Sequence, residues 1–276
     1  MLFSEDLKLL HALLNGMTIC IAAIGKDENG KELIVFATDH MISLQQIGQF
    51  EMTVEKYKKI TDNTVAMLSG EPLIFDDLIE PCKNNCSFEE MKDKIQKKMN
   101  DIKNERVQKQ ILDTYRMNYD NLKELLKNPL QNPYALSMFD AVSKFTLNTV
   151  ILLIGFKEDE AQITEITETR IAAVRDLSFD AIGTGGLQAI NTMLFQRHSK
   201  VDSLSTTIYN VYKAKRNAEV AVGVGKEIDM MVLFKTGVVK IGEDVIGVLS
   251  EVYDEELKYG KSHKKLLEIM KSIKVR

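Results

Sequence analysis

The stretch TICIAAIGKDENGKELIVFATD, residues 18–39, decides the fold of this chain. Two apolar runs rich in β-branched residues, 18–25 and 32–39, flank the polar segment 26–31, which contains Asn29-Gly30. An Asn-Gly pair between two apolar runs is a strong hairpin signal, because both residues tolerate the positive φ angles of a tight turn. The stretch therefore predicts a buried β-hairpin at the beginning of the fold.

The rest of the chain adds strands in pairs and helices in blocks. A second hairpin is predicted around the turn Asp62-Asn63, and a strand over 149–156 begins a meander. This grouping is typical of antiparallel sheets with helices packed outside them, and it differs from the strand–helix alternation of parallel α/β folds. The sequence therefore predicts an α+β fold. The predicted strands are 18–25, 32–39, 54–60, 64–69, 149–156, 161–166, 171–174, 178–182, 228–235 and 238–241.

Helices are predicted from capping residues and from the spacing of apolar side chains. Ser87 followed by acidic residues is an N-terminal cap for a long, charged helical region reaching about 127. In the helix over 187–198, the apolar spacing predicts that Leu187, Ile190 and Leu194 face inward. The methionine-rich stripe 91–99 is predicted to lie in the core or at a subunit interface. Further helices are predicted near residue 72, over 135–145, from a Ser203 cap to 219, and over 255–273.

Composition excludes several classes of function. The 276 residues carry a formal net charge of −4 with acids and bases intermixed, so the basic surface of a nucleic-acid-binding protein is absent. No apolar run reaches the length of about 18 residues that a membrane helix needs. Three cysteines without framework spacing, Cys20, Cys82 and Cys86, favour a reducing cytoplasm and give no zinc-site pattern. We therefore expect a cytoplasmic protein without metal or cofactor.

Met17-Thr18 raises a specific chemical possibility. A threonine hydroxyl is a weak nucleophile, but a free α-amine on the same residue can take its proton. That chemistry requires Thr18 to be the N-terminal residue, because an internal threonine has only an amide nitrogen. Translation from Met17 followed by removal of the methionine would expose Thr18. On this interpretation residues 1–17 are an upstream extension or a propeptide, with an upstream, wrongly assigned start favoured over a propeptide.

Four motifs in order give this chain its resemblance to a known family. They are TICIAAIGKD with LIVFATDH, then EKYKKITDNTVAMLSG, then DAIGTGGLQAINTML, and finally VGVGKEIDMMVLF. Together they resemble the β subunits of proteasomes over 18–75 and about 149–240, with features of the Anbu-like subgroup. Each motif is weak by itself, because Asp39 is an ordinary turn residue, Lys56 an ordinary surface lysine and Thr184 an ordinary helix cap.

The resemblance implies a fold, a mechanism and partners. It implies a four-layer αββα sandwich of the N-terminal-nucleophile (Ntn) hydrolase type, here a single domain over 18–276 with an enlarged, insertion-like helical layer at 87–145. Thr18 matches the nucleophile, Asp39 and Lys56 the acid and lysine beside it, and Thr184 the nearby hydroxyl. The oxyanion-binding N–H falls at or beside Gly185. The resemblance also implies peptide or unfolded-protein substrates, a homo-oligomer and a separate ATPase unfoldase.

Departures from the family pattern keep two alternatives open. The family's acid before the last motif aligns with Ala221, and Glu219 lies two residues out of register. Val224 occupies the position of a serine, and Met17 replaces the glycine of a self-cleavage site. One alternative is a catalytically inactive, structural proteasome-like subunit. The other is an Ntn amidase or acyl-transferase that acts on a different substrate.

Overall fold

The structure is a computed structural model, and it describes residues 18–44, 48–51, 55–83, 86–128 and 133–261. The upstream segment 1–17 lies outside the described residues. Contacts divide the chain into two compact units, Met1–Val239 and Lys240–Arg276. The description of 18–276 as one domain stays a prediction.

The first sheet is built on the predicted N-terminal hairpin. Its strands are antiparallel where they pair with β1 and β2, and they follow the order β10-β1-β2-β11-β12. Asn29 and Gly30 lie in the turn between the two central strands, and Gly30 has a φ of +78°. The hairpin prediction is confirmed. The strands are β1 (Cys20–Lys26), β2 (Glu32–Asp39), β10 (Phe179–Ile182), β11 (Ile228–Phe234) and β12 (Gly237–Lys240).

The second sheet is an antiparallel meander in which each strand pairs with the next along the chain. The predicted hairpin around Asp62-Asn63 and the predicted meander that follows are both confirmed. A separate two-stranded hairpin joins β3 (Met41–Leu44) to β4 (Gly48–Glu51). The strands of the meander are β5 (Tyr57–Thr61), β6 (Thr64–Ser69), β7 (Val150–Lys157), β8 (Glu160–Ile166) and β9 (Ile171–Ala173).

Seven α-helices lie within the described residues, beside short 3-10 segments and one π segment. Ser87 caps the second helix in a reciprocal capping box with Glu90, as its sequence predicts. The helices are α1 (Phe75–Ile79), α2 (Phe88–Val107), α3 (Tyr119–Leu125), α4 (Pro133–Lys144), α5 (Gly186–Phe195), α6 (Leu204–Ala218) and α7 (Glu243–Lys261).

The two five-stranded sheets face each other across a shared apolar core. Alternate residues of the central strands point into it, and Phe36 of the first sheet and Met67 and Leu152 of the second are fully buried there. Burying a side chain of this size contributes roughly 1.5–3 kcal/mol. The period-2 pattern of each strand therefore fixes which face meets the other sheet.

Helices cover both outer faces of the paired sheets. On the second sheet, α2 buries Met91, Ile95 and Met99 in a core that includes Leu153, which confirms the core interpretation of the methionine-rich stripe. On the first sheet, α6 packs against β1 and β2 while α5 packs against α6 and β10.

The charged region from 88 to about 127 is helical as predicted, but it is not a single helix. The α-helix ends at Val107 and passes through a π segment and a 3-10 segment before α3 begins. Arg116 adopts a left-handed conformation with a φ of +53°, which ends helical propagation. Asn118 then caps α3 by accepting the N–H of Asn121, so local side-chain bonding starts a separate helix.

Two further helix predictions need correction. Leu187 and Leu194 of α5 are 68% and 52% exposed, whereas the buried face of α5 consists of Gly186, Ala189, Thr192 and Met193. Small residues face the sheet because α5 lies very close to it: a Cβ on Gly186 would be 2.8 Å from the Ala181 carbonyl oxygen. The C-terminal helix begins at Glu243 rather than 255, and its predicted end lies outside the described residues.

Asp180 on β10 gives a testable pH dependence. Burial raises the pKa of this carboxyl to about 6, against the opposing effect of the Ala181 N–H that it accepts. The folded chain therefore keeps a proton that the unfolded chain loses from about pH 4 upward, so this group's contribution to stability is lost as the pH rises through 6. We expect Asp180→Asn to be more stable than wild type by about 1–3 kcal/mol at pH 8, and the difference to vanish near pH 4.

Urea unfolding at both pH values measures this difference. Asp159→Asn is the matched control, because Asp159 is an exposed carboxyl whose pKa Lys235 lowers rather than raises. A pH-independent difference between Asp180→Asn and wild type would contradict the account of Asp180.

Among the described residues, no helix is both long enough and apolar enough to cross a lipid bilayer.

Candidate active site

Several strand ends of the first sheet converge at one place. Thr18 lies two residues before the start of β1, and Asp39 is the last residue of β2, its antiparallel neighbour. The C-terminal end of β10 lies on the other side of β1, where Ile182 is opposite Cys20. On the far side of β2, Ile228 at the start of β11 is opposite Asp39. The antiparallel order therefore places residues from distant parts of the sequence around Thr18.

Asp39 is the centre of the polar network at this end of the sheet. Its Oδ1 accepts hydrogen bonds from the Thr18 hydroxyl at 2.7 Å, the Ile19 N–H at 3.1 Å and the Lys56 ammonium at 2.6 Å. Its Oδ2 accepts the Gly225 N–H at 2.8 Å. Because the Thr18 hydroxyl and the Lys56 ammonium bind the same oxygen atom, they are close neighbours.

The network is buried, which makes its charges strongly interdependent. The Asp39 side chain is fully buried, and the side chain of Lys56 is 11% exposed. A buried carboxylate is stable only when cations and N–H donors replace the water it has lost, and here one ammonium and two backbone N–H groups do so. Removing one partner of a buried ion pair typically costs about 3–5 kcal/mol.

The turn after β10 packs directly on the Thr18 backbone. The Gly185 N–H and the Thr184 hydroxyl both donate to the Thr18 carbonyl oxygen at 3.4 Å. Gly183 has a φ of +98°, and a Cβ on it would lie 2.2 Å from that same oxygen. Only glycine fits there without displacement, so the G-T-G-G sequence is explained by its close contact with Thr18.

The structure brings all five sequence-predicted site residues, Thr18, Asp39, Lys56, Thr184 and Gly185, into one connected hydrogen-bond network. No protein-family model and no curated protein matches the chain significantly. The case for a function therefore depends on the residues themselves. The positions of these five residues are observed in the structure, whereas their chemical roles stay predictions.

Two of the predicted roles differ from the contacts observed. Gly185 is expected to bind an oxyanion, but its N–H faces the Thr18 carbonyl oxygen. Thr184 is the hydroxyl expected near the nucleophile, a position in which it could bond the free Thr18 amine, but here it reaches that same carbonyl oxygen. In this structure both residues therefore fix the backbone of Thr18, and oxyanion binding by Gly185 would require its present hydrogen bond to break.

Sequence reasoning missed Cys20 and Gly225. The Cys20 thiol donates to the Leu68 carbonyl oxygen at 3.6 Å and also contacts the Thr18 side chain. Burial raises the pKa of this thiol to about 12, so it stays protonated and does not compete as a nucleophile. No local pattern marks Cys20, because its position beside Thr18 reads as an ordinary buried strand residue. Gly225 lies in the VGVGKEID motif, but only the folded structure shows which carboxylate its N–H meets.

Glu219, the acidic residue nearest to the position where the family has an acid, contacts cations of its own helix. Glu219 Oε1 lies 2.7 Å from the Lys215 ammonium, and its Oε2 lies 3.6 Å from Arg216. Both contacts lie within the last turns of α6. The contacts described for Glu219 therefore link it to cations of its own helix rather than to Thr18.

His40 follows Asp39 and forms a separate pair. Its Nε2 lies 2.5 Å from Asp229 Oδ2 on the neighbouring strand β11. Adjacent residues of a strand point to opposite faces, so His40 and Asp39 face different surroundings, as the sequence predicts. The described residues contain no group of three or more His, Cys, Asp or Glu side chains arranged to hold a metal ion.

Proposed function

We propose that this chain is a proteasome-like threonine peptidase of the Ntn-hydrolase type, which cleaves peptide bonds with Thr18 as its N-terminal nucleophile. One observation carries the proposal: a single buried carboxylate oxygen of Asp39 accepts both the Thr18 hydroxyl and the Lys56 ammonium. A nucleophilic hydroxyl needs a nearby charged network that orients it and stabilises the charge that develops during attack. The four motif segments supply that network in the order that the resemblance implies.

The mechanism follows from which groups can accept and return a proton. With Thr18 at the N-terminus, its neutral α-amine takes the hydroxyl proton while Oγ1 attacks the peptide carbonyl carbon. The C–N bond then breaks, the amine protonates the leaving group, and an ester to Thr18 remains. A water molecule, deprotonated by the same amine, hydrolyses that ester and restores the free hydroxyl.

Lys56 and Asp39 have separate parts in this mechanism. The Lys56 ammonium is a positive charge close to the Thr18 hydroxyl, and a neighbouring cation favours the neutral form of an amine. Asp39 holds that ammonium in place and fixes the rotamer of Thr18 through the 2.7 Å hydrogen bond. Asp39 therefore acts as an orienting group, and the Thr18 amine acts as the base.

The architecture supports the finer part of the proposal. Two facing antiparallel sheets with helices on both outer faces fit a four-layer αββα sandwich of the Ntn type. We further propose that peptides or unfolded proteins are the substrates, that copies of the chain assemble into a homo-oligomer, and that a separate ATPase supplies unfolded chains. The cytoplasm is the proposed location.

One observation favours a second candidate, a catalytically silent structural subunit. Thr18 follows Met17 in this chain, and its side chain is only 2% exposed. A peptide-bonded Thr18 nitrogen is no base, so the 276-residue form is inactive by the proposed mechanism. If this form is the mature one, the network around Asp39 has only a structural role.

Labelling with a peptide epoxyketone tests the proposal, because this electrophile forms its stable adduct with a hydroxyl and a free amine on the same residue. The chain is produced behind a removable leader so that Thr18 becomes the N-terminus. We expect one adduct, located on Thr18 by mass spectrometry, and none on Thr18→Ala. Thr169→Ala, which removes an exposed threonine hydroxyl between β8 and β9, is the control and should still be labelled. An adduct on Thr18→Ala equal to that on wild type would contradict the proposal.

A further inference from the structure

Lys215 is a buried cation that the proposed mechanism does not use. It lies on α6, and its side chain is fully buried. Its ammonium donates to Glu219 Oε1 at 2.7 Å and to the carbonyl oxygen of Lys226 at 2.5 Å. Burial lowers the pKa of this ammonium, while Glu219 and Asp39 oppose that shift. Burying an ammonium group costs free energy that an apolar side chain of similar size would not cost, so we expect a role for this charge in the site.

The contacts of Lys215 lead to Asp39 in two steps. Lys226 directly follows Gly225, whose N–H donates to Asp39 Oδ2 at 2.8 Å. A hydrogen bond to the Lys226 carbonyl therefore restrains the segment that carries this N–H. The positive charge of Lys215 also lies close enough to Asp39 for the two groups to interact electrostatically.

We propose that Lys215 is a positioning residue of the Thr18 site, which clamps the 223–226 turn so that the Gly225 N–H is directed at Asp39, and which supplies a second positive charge near that carboxylate. Lys56 then binds Asp39 Oδ1, and the Gly225 N–H, in the segment that Lys215 restrains, binds Oδ2. Glu219 holds the Lys215 ammonium in place. The effect of Lys215 on catalysis rests on the proposed function, whereas its clamping of the turn does not.

The conformation of the 223–226 turn depends on the hydrogen bond that it receives from Lys215. Gly223 has a φ of +83°, so the segment contains a backbone conformation that favours glycine and is intrinsically adaptable. On the other side, the side chain of Val224 packs where a Cβ on Gly185 would lie, 2.9 Å away. The turn thus contacts both Asp39 and the segment that holds the Thr18 carbonyl, and fixing it orders two parts of the site.

Two measurements on the chain with Thr18 as its N-terminus test the proposal with Lys215→Met, Lys215→Arg and the control Lys200→Met. Lys200 is an exposed lysine of the connection between α5 and α6, so its replacement removes a charge without touching the site. Hydrogen exchange followed by mass spectrometry compares the 223–226 segment with β7, which reports on overall stability. Epoxyketone labelling between pH 5 and 9, on the same protein with its free Thr18 amine, reports on the site.

In Lys215→Met we expect exchange of the 223–226 segment to rise about 10-fold while β7 is unchanged, because only the clamp is lost. We expect labelling to slow roughly 10–100-fold, as for the loss of other groups that orient a reactive side chain. The pH of half-maximal labelling should rise, because removing a cation favours the protonated amine. Lys215→Arg should restore part of both effects, and Lys200→Met should match wild type.

Other outcomes separate the clamp from the proposed function. If wild type is not labelled at any pH, the proposed function fails, and faster exchange confined to 223–226 in Lys215→Met still supports the clamp. Unchanged exchange there overturns it. Exchange that rises equally in 223–226 and β7, with labelling reduced by the same factor at every pH, shows a merely structural lysine and also overturns the proposal.

Discussion

Replacing Asp39 by asparagine is expected to slow the labelling of an N-terminal Thr18 by a factor of about 10³ or more. The asparagine keeps one acceptor oxygen but loses the negative charge that pairs with Lys56. Its NH₂ group must then face either the Gly225 N–H or the Lys56 ammonium, and each of these is itself a donor. The variant should also lose roughly 3 kcal/mol of stability, because it leaves a buried cation unpaired.

Thermal unfolding and labelling rates of the same sample separate the two effects of Asp39→Asn. Asp27→Asn is the matched control, because Asp27 is a partly exposed carboxylate of the same hairpin that accepts the N–H groups of Asn29 and Lys31. It should retain wild-type labelling. A folded Asp39→Asn variant that labels within about threefold of wild type would refute the central role given to Asp39.

Gly183→Ala is expected to destabilise the fold by more than 3 kcal/mol. A Cβ at this position would lie 2.2 Å from the Thr18 carbonyl oxygen and 2.9 Å from the Thr18 Cγ2. The φ of +98° adds the strain that any L side chain meets in that region. The clash involves backbone on both sides, so relief requires β10 and β1 to move apart at the site.

Gly30→Ala isolates the contribution of the backbone angle. Gly30 also has a positive φ, but a Cβ added there meets no atom within 4 Å. We expect Gly30→Ala to cost about 1 kcal/mol in urea unfolding, and the excess for Gly183→Ala to report the clash with Thr18. Equal losses for the two variants would show that the turn after β10 does not press on Thr18.

The strands of this chain could be predicted from sequence because their signals are local. Alternation, Asn29-Gly30 and Asp62-Asn63 fix the two hairpins, and every strand of the two five-stranded sheets lies within a few residues of its predicted position. The small hairpin of β3 and β4 was not predicted. The buried face of each helix was harder to predict from the sequence, because it depends on which element packs against that helix. In α5 the close approach to β10 demands small residues, so the apolar spacing of Leu187 and Leu194 pointed to the wrong face.

The site could be predicted only where motifs mark its residues. Thr18, Asp39, Lys56 and the 183–186 turn stand in recognisable segments, and they do meet in the fold. Gly225 contributes a backbone N–H to the site, and a contact of this kind cannot be predicted from the type of residue. Lys215 reads as one of many helix lysines, and only its complete burial distinguishes it from them.

The central claim is that Thr18 acts as a free N-terminal nucleophile, and one measurement tests it most directly. The protein is expressed from its own gene with the upstream DNA included, treated with the peptide epoxyketone, and its intact mass is determined. The account predicts a mass that begins at Thr18 and carries one adduct. A mass that retains residues 1–17 without an adduct would contradict it, because Thr18 would then have no amine to act as its base.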